Sequence, residues 1–144
     1  MTADETCLFC RIAAGDAPAH VVLTDEVAVG FLDIRPLFPG HTLLVPRDHH
    51  VTLPDLPDQL IGPLFTRARL LARAMVEVLG ATGSFVAMNN VVSQSVAHAH
   101  IHVVPRNPKD GLRGFFWPRR RYADDAEAAT VAARLRRGLT RLES

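Results

Sequence analysis

His98-Ala99-His100-Ile101-His102-Val103-Val104 is the stretch on which the reading of this chain turns. Successive side chains of an extended strand point to opposite faces, so residues two apart share one. A strand here lines three imidazoles along one side and sends Ala99, Ile101 and Val103 into a core on the other. Incidental histidines on a surface strand would not be expected to alternate strictly against an apolar face. The imidazole face suits metal or phosphate chemistry. As a three-histidine zinc hydrolase site it would want a nearby Asp or Glu as base, and the segment offers none. For phosphate chemistry, a neutral imidazole at His100 attacks phosphorus and displaces a leaving group, giving an adduct that water then cleaves. His98 and His102 orient and polarise the reacting groups and help neutralise the phosphate oxygens.

Outward from the triplet, Ser84 to Asn89 reads as the preceding strand, and Pro105 as the end of the triad strand, which spans His98 to Val104. Upstream, Val27 to Ile34 is an apolar strand halted by Arg35-Pro36. Pro39-Gly40 makes a turn into a strand from His41 to Val45, ended by Pro46, and the two strands form an antiparallel hairpin. From Asp58 to Leu79 the period becomes helical. Leu60, Leu64, Ala68, Leu71, Met75 and Leu79 form one stripe, with Arg69, Arg73 and Glu77 opposite, and Gly80 and Gly83 stop the helix. A last helix begins at Asp124, with Glu127 completing a capping box and Leu135, Leu139 and Leu142 on its inner face. Strands grouped around one long helix predict an α+β fold: an antiparallel meander sheet with one long helix and a C-terminal helix, as a single domain over residues 1–144.

Composition narrows the partners. A formal net charge of +1 in 144 residues argues against nucleic acid or an anionic membrane as a partner. No apolar run reaches the ~18 residues of a membrane span, and Met1 to Thr6 is polar and acidic, unlike a signal peptide. The expected address is the cytoplasm, where Cys7 and Cys10 stay reduced. Spaced C-x-x-C, they read as half of a metal site or as a redox pair.

Gln94-Ser95-Val96-Ala97-His98-Ala99-His100-Ile101-His102-Val103-Val104-Pro105-Arg106 resembles the signature of the histidine-triad (HIT) family, with its Q-[ST]-V lead and P-R tail. Cys7-Leu8-Phe9-Cys10-Arg11-Ile12, Phe31-Leu32-Asp33-Ile34, Pro39-Gly40-His41-Thr42-Leu43-Leu44-Val45-Pro46 and His49 are similar to the family's N-terminal landmarks, in order. The resemblance covers about residues 7–106, nearest to the bacterial Hint-like branch, and leaves 107–144 as a tail and helix.

The resemblance implies a purine nucleotide site and hydrolysis at the α-phosphate. His100 matches the nucleophile, His102 the histidine on the α-phosphate, Asp33 the acid that holds the ribose hydroxyls, and Ser95 a contact to the phosphate or leaving group. Ile12, Phe31, Leu32 and Ile34 match the base pocket, and plain core packing would serve them equally. The family usually carries an Asn and then a glycine-rich loop into Gln-Ser. Here Asn89-Asn90-Val91-Val92-Ser93 is shorter and has no glycine; Asn90 is the best match for that Asn, Asn89 the next, with Gln94 following. Resemblance to zinc-binding bacterial members implies a structural Cys₂His₂ zinc on Cys7, Cys10, His49 and His98, with His50 as an adjacent alternative, against two reduced cysteines without metal. No organic cofactor is expected. His41 is assigned a structural role at its turn. Arg106, Lys109, Arg113, Arg119, Arg120 and Arg121 interleave with Phe115, Phe116 and Trp117, as a solvated loop or an arm over the phosphates. The family commonly dimerises through the long helix and a strand, which implies a homodimer, and Trp117 is the candidate to reach the partner's site. The implied substrates are nucleoside phosphoramidates; dinucleoside polyphosphates, or nucleotide binding with little turnover, are the alternatives.

Overall fold

The structure, a computed structural model, describes residues 4–113 and 119–143. Five strands form one antiparallel sheet: β1 (Val21–Thr24), β2 (Ala28–Leu32), β3 (Thr42–Pro46), β4 (Gly83–Ala87) and β5 (Ile101–Arg106), in the order β1-β2-β3-β5-β4. The first three are a meander. β4 and β5 form a hairpin whose second strand lies against β3, so the triad strand is interior, next to the β4 edge.

Both faces of the sheet are covered, which is why β2 and β3 read as unbroken apolar runs rather than as alternating ones. The long helix α2 (Asp58–Glu77) lays Leu64, Ala68, Leu71 and Met75 on one face, against Ala28, Leu44, Ala99, Ile101 and Val103. The short helix α1 (Leu8–Ala13) closes the other face with Cys7, Phe9, Cys10 and Ile12 against Val29, Phe31, Leu43 and Val45. Arg47 ties this layer together. Its guanidinium donates to the Ala13 carbonyl at 2.7 Å, the Asp25 carbonyl at 2.5 Å and Thr24 Oγ1 at 2.7 Å.

The expected hairpin and long helix are present, with shifted ends. The triad strand begins at Ile101, not His98. The backbone just before it bonds elsewhere, with Ala99 N–H on the His50 carbonyl at 2.6 Å and His98 N–H on that of Val96 at 2.8 Å. Pro105 lies inside the strand, not after it. The pairing of β5 with β3 ends at Val103, and Pro105 pairs only with Ser84 of β4, so its missing N–H breaks no β3 bond. Pro46 likewise ends within β3. Gly83 opens β4; the helix is ended by Gly80, whose φ of +73° suits glycine. Leu79, expected in the buried stripe, follows the helix and is exposed. Three elements were not foreseen: α1, a 3-10 turn at Leu53–Asp55, and the edge strand β1, whose Val21 and Val22 are both exposed and give no alternation.

Residues up to Asp110 form one compact unit and those from Gly111 a second. In the second, α3 (Asp125–Glu143) starts as expected, with Asp124 Oδ1 accepting Glu127 N–H at 2.8 Å, while Glu127 Oε1 reaches back to Ala123 N–H at 3.2 Å. Leu135, Leu139 and Leu142 do not form a buried inner face; all three are exposed, because α3 buries none of its residues. Phe115, Phe116 and Trp117 lie outside the described residues. Arg106 is not free for an anion, since its guanidinium pairs with Asp110 at 2.6 and 2.9 Å.

Candidate active site

A cavity of about 380 Å³ opens between α1 and the sheet. Ile12, Phe31, Leu32, Asp33, Ile34, Ser95, His100 and His102 line it together, as expected from sequence, joined by Phe9, Leu43 and Val96. Ile12 and Phe31 are buried, whereas Ile34 stands exposed at the rim. The walls combine apolar Phe31, Leu43 and Ile12 with polar Ser95, His100, His102 and Asp33, and Leu43 lies directly across the β3–β5 ladder from His102. One carboxylate oxygen of Asp33 accepts Arg35 N–H at 2.9 Å, which fixes the side chain at the cavity's edge.

The protons on the histidines can be placed because main-chain groups dictate them. His100 Nδ1 lies 2.7 Å from the His98 carbonyl, an acceptor only, so Nδ1 carries the hydrogen and Nε2 keeps its lone pair. Leu37 N–H, a donor only, points at His41 Nδ1 at 3.0 Å, so the His41 hydrogen sits on Nε2. That hydrogen is given to His102 Nδ1 at 2.9 Å, which places the His102 hydrogen on Nε2. The cavity thus holds one imidazole with a bare nitrogen and a second that presents an N–H. His41 is the residue that sequence reasoning undervalued. Leu43 pairs with His102 across β3–β5, so His41, two residues back, is its diagonal neighbour on the same face.

Burial, reinforced by His100 and His41, pushes His102 down to about 4, and burial also lowers His41. Both are neutral at pH 7, as the relay requires. The unfolded chain takes up a proton on His102 near pH 6.5, but the native chain does so only near 4. Stability is therefore intact above pH 6.5 and falls between 6.5 and 4 by roughly 1.4 kcal/mol per pH unit on this account. The urea midpoint of the native protein should drop between pH 7 and pH 5 more steeply than that of His102→Gln, by about one proton's worth; equal slopes would contradict this assignment.

His98 faces away from the cavity. Its Nε2 donates to the Pro46 carbonyl at 2.8 Å, so the lone pair on Nδ1 faces Cys7 Sγ and Cys10 Sγ, each 3.4 Å away. His49 Nδ1 lies 3.3 Å from Cys10 Sγ. These four ligand atoms sit within 4.8 Å of one another. Zinc bonds of ~2.3 Å to sulfur and ~2.05 Å to nitrogen at tetrahedral angles separate S from N by about 3.6 Å, close to what is found. His50 does not join this set; it is buried, and its Nε2 has no partner among the described residues. Asp33, His41 and His102 also bring ligand-type atoms together, but the hydrogen on His41 Nε2 occupies the atom that would ligate.

Asn89, Asn90 and Gln94 do not line the cavity. Asn90 Oδ1 accepts Leu53 N–H at 2.8 Å, Asn89 Nδ2 donates to the Ser93 carbonyl at 3.3 Å, and Gln94 bridges Val91 N–H at 2.9 Å to the Val51 carbonyl at 2.5 Å.

A HIT domain model matches residues 14–109. The chain belongs to the HIT domain family. Among its HIT relatives, the adenylylsulfatase HINT3 of Arabidopsis thaliana is 31% identical over 98% of this chain and 73% of its own length. The adenosine 5′-monophosphoramidase HNT1 of Saccharomyces cerevisiae is 34% identical over 77% of this chain and 70% of its own. A zinc-bound histidine triad family protein from Mycobacterium smegmatis superposes with a TM-score of 0.72 at 39% identity, covering 96% of both chains. As a HIT protein the chain has the α+β architecture of its structural neighbours, and its Cys7–Cys10–His49–His98 cluster could hold a metal. No helix among the described residues is long and apolar enough to cross a membrane.

Proposed function

We propose that this protein hydrolyses the bond to the α-phosphate of purine nucleoside phosphoramidates or similar nucleotidyl substrates through a His100 adduct. One observation carries the reading: beside an apolar slot, a bare imidazole nitrogen on His100 stands next to an N–H on His102. The base stacks among Phe31, Ile12 and Leu43, and the ribose hydroxyls bond to Asp33. His100 Nε2 attacks phosphorus. The phosphorus–nitrogen bond breaks, its electron pair leaves on nitrogen, and the amine takes a proton from solvent, since the neutral His41–His102 pair has none to spare. His102 Nε2–H and Ser95 bond the phosphate oxygens as charge builds on them. Water then displaces His100 from phosphorus and gives up its own proton, and the nucleoside monophosphate leaves. HIT relatives named as a monophosphoramidase and an adenylylsulfatase act on substrates of this kind.

The Cys7, Cys10, His49 and His98 donors fit zinc. Bound there, it would supply structure alone, tying α1 to the sheet and holding the carbonyl of His98 against His100 Nδ1. A cytoplasmic setting keeps both thiols available as ligands. A homodimer through α2 and a strand completes the reading, and light scattering at micromolar concentration should give twice the chain mass of 15.8 kDa.

The test is turnover of adenosine 5′-phosphoramidate and a diadenosine polyphosphate side by side. Faster release of AMP from the phosphoramidate is expected. Preference for the polyphosphate would move the protein to a different substrate class, and binding of AMP without turnover of either would leave it a nucleotide-binding protein.

A further inference from the structure

Helix α3 carries an apolar seam that its own chain leaves open. Ala128, Ala132, Leu135, Leu139 and Leu142 fall at intervals of 4, 3, 4 and 3 residues, the spacing that keeps one line of side chains facing a neighbouring helix. Yet α3 buries none of its residues, and Leu135, Leu139 and Leu142 are 62%, 56% and 77% exposed. A helix of 19 residues is marginal by itself in water, and what stabilises one is the packing of its apolar face. Gly138 is a second, separate sign. Glycine inside a helix costs about 1 kcal/mol relative to alanine, and a Cβ at 138 would meet no atom within 4 Å outside the helix backbone. Nothing in its own chain therefore calls for glycine there, whereas another backbone passing close would.

The seam is graded in size and in charge, and the gradient says what fits it. Its first half is alanine and its second half leucine. Laid parallel, two copies of α3 would set leucine on leucine and leave the alanines apart. Laid antiparallel, the leucine half of each covers the alanine half of the other. The register that pairs Ala132 with Leu135 of a second copy also pairs Ala128 with Leu139 and brings Gly138 level with Ala129. Arg141 then comes level with Ala126, between Asp125 and Glu127 of the second copy. A parallel pair would instead put acid beside acid at the start and arginine beside arginine toward the end, which is unfavourable. The face is thus complementary to itself about a two-fold axis, as a contact between identical subunits has to be.

We propose that α3 is a self-association helix, pairing antiparallel with α3 of a second copy through the seam from Ala128 to Leu142. This pairing is independent of the chemistry of the cavity. It is also distinct from a contact through α2, which would double the mass by itself, so mass alone does not test it.

Cross-linking of the full chain does. Ala132→Cys, Ala128→Cys and Leu139→Cys are each treated with a short bismaleimide, and the unsubstituted chain serves as the blank for Cys7 and Cys10. In the antiparallel register residue 132 lies within one turn of its own counterpart. Residues 128 and 139 each lie ~16 Å along the axis from theirs, at 1.5 Å per residue. Ala132→Cys should therefore give several times the dimer yield of Ala128→Cys or Leu139→Cys alone, and co-expressing those two should restore linking. Leu135→Ser added to Ala132→Cys should cut its yield severalfold. Self-linking of Ala128→Cys and of Leu139→Cys, without linking of the mixture, would mean a parallel pair and overturn the proposal. No linking beyond the blank, with all three thiols open to a monofunctional maleimide, would mean an unpaired helix. Thiols closed to that reagent and unlinked would mean that the seam is covered within its own chain, and either result overturns the pairing.

Discussion

Replacing His100 by alanine should lower turnover by at least about a thousandfold, the scale on which enzymes lose rate when a nucleophile is removed. Nucleotide affinity should change by less than tenfold, because the slot around Phe31, Ile12 and Leu43 and the Asp33 carboxylate are untouched. His100 is buried and meets the Phe9 ring edge-on at a centroid distance of 5.1 Å, so its removal also opens a cavity. Free imidazole has the shape of what was lost, and adding it should restore part of the rate. A companion check is chemical: acid-quenched native protein should carry one nucleotidyl group by mass, and the variant none. Equal rates in the two proteins would remove His100 from the chemistry.

The second large effect concerns the four-ligand cluster. Cys10→Ser should abolish metal binding and destabilise the protein by several kcal/mol, which corresponds to roughly 10–20 °C in melting temperature for a chain of this size. The basis is geometric. Cys10 Sγ lies 3.4 Å from His98 Nδ1 and 3.3 Å from His49 Nδ1, so it is the sulfur that faces both imidazoles. Burial raises the Cys10 thiol above its ordinary value, so without metal it stays protonated and cannot serve as the anion that holds two imidazoles. Nucleotide affinity should fall as well, since loosening α1 displaces Phe9 and Ile12 from the cavity. Metal analysis with calorimetry decides the matter: full stability and no metal in native protein would mean that the thiols are simply packed.

What the sequence made legible was whatever repeats locally. The alternation at His98 to Val103 exposed the triad face even though the strand proper begins three residues later, because the extended path continues before the ladder does. The 4-3-4 spacing of Leu64, Ala68, Leu71 and Met75 disclosed the long helix. Motif resemblance supplied Asp33, Ser95 and the base slot, all of which line the cavity. Hidden features depended on partners distant in the chain. The role of His41 follows from a hydrogen bond to His102 that exists only once β3 lies beside β5. Gln94 and Asn90, matched to the nucleotide site by resemblance, also bond the 51–53 segment through their amides, which the sequence does not show. Edge strand β1 stayed invisible because an edge facing solvent needs no pattern. The apolar stripe of α3 was read as buried because periodicity reports amphipathicity, and burial depends on what lies opposite.

The hydrogens on His41, His98 and His100 are set by the main chain, through the Leu37 N–H and the carbonyls of Pro46 and His98, and His41 then sets that of His102. Main-chain groups persist whatever side chain occupies the position, and only proline at 37 would delete one of the three. Which nitrogen of His100 stays bare therefore follows the backbone path rather than any neighbouring side chain. Under the proposed function, the walls around the base and leaving group can drift through many substitutions while the same nitrogen stays bare. Diversification of substrates on this scaffold can thus proceed one wall residue at a time, without passing through an inert intermediate.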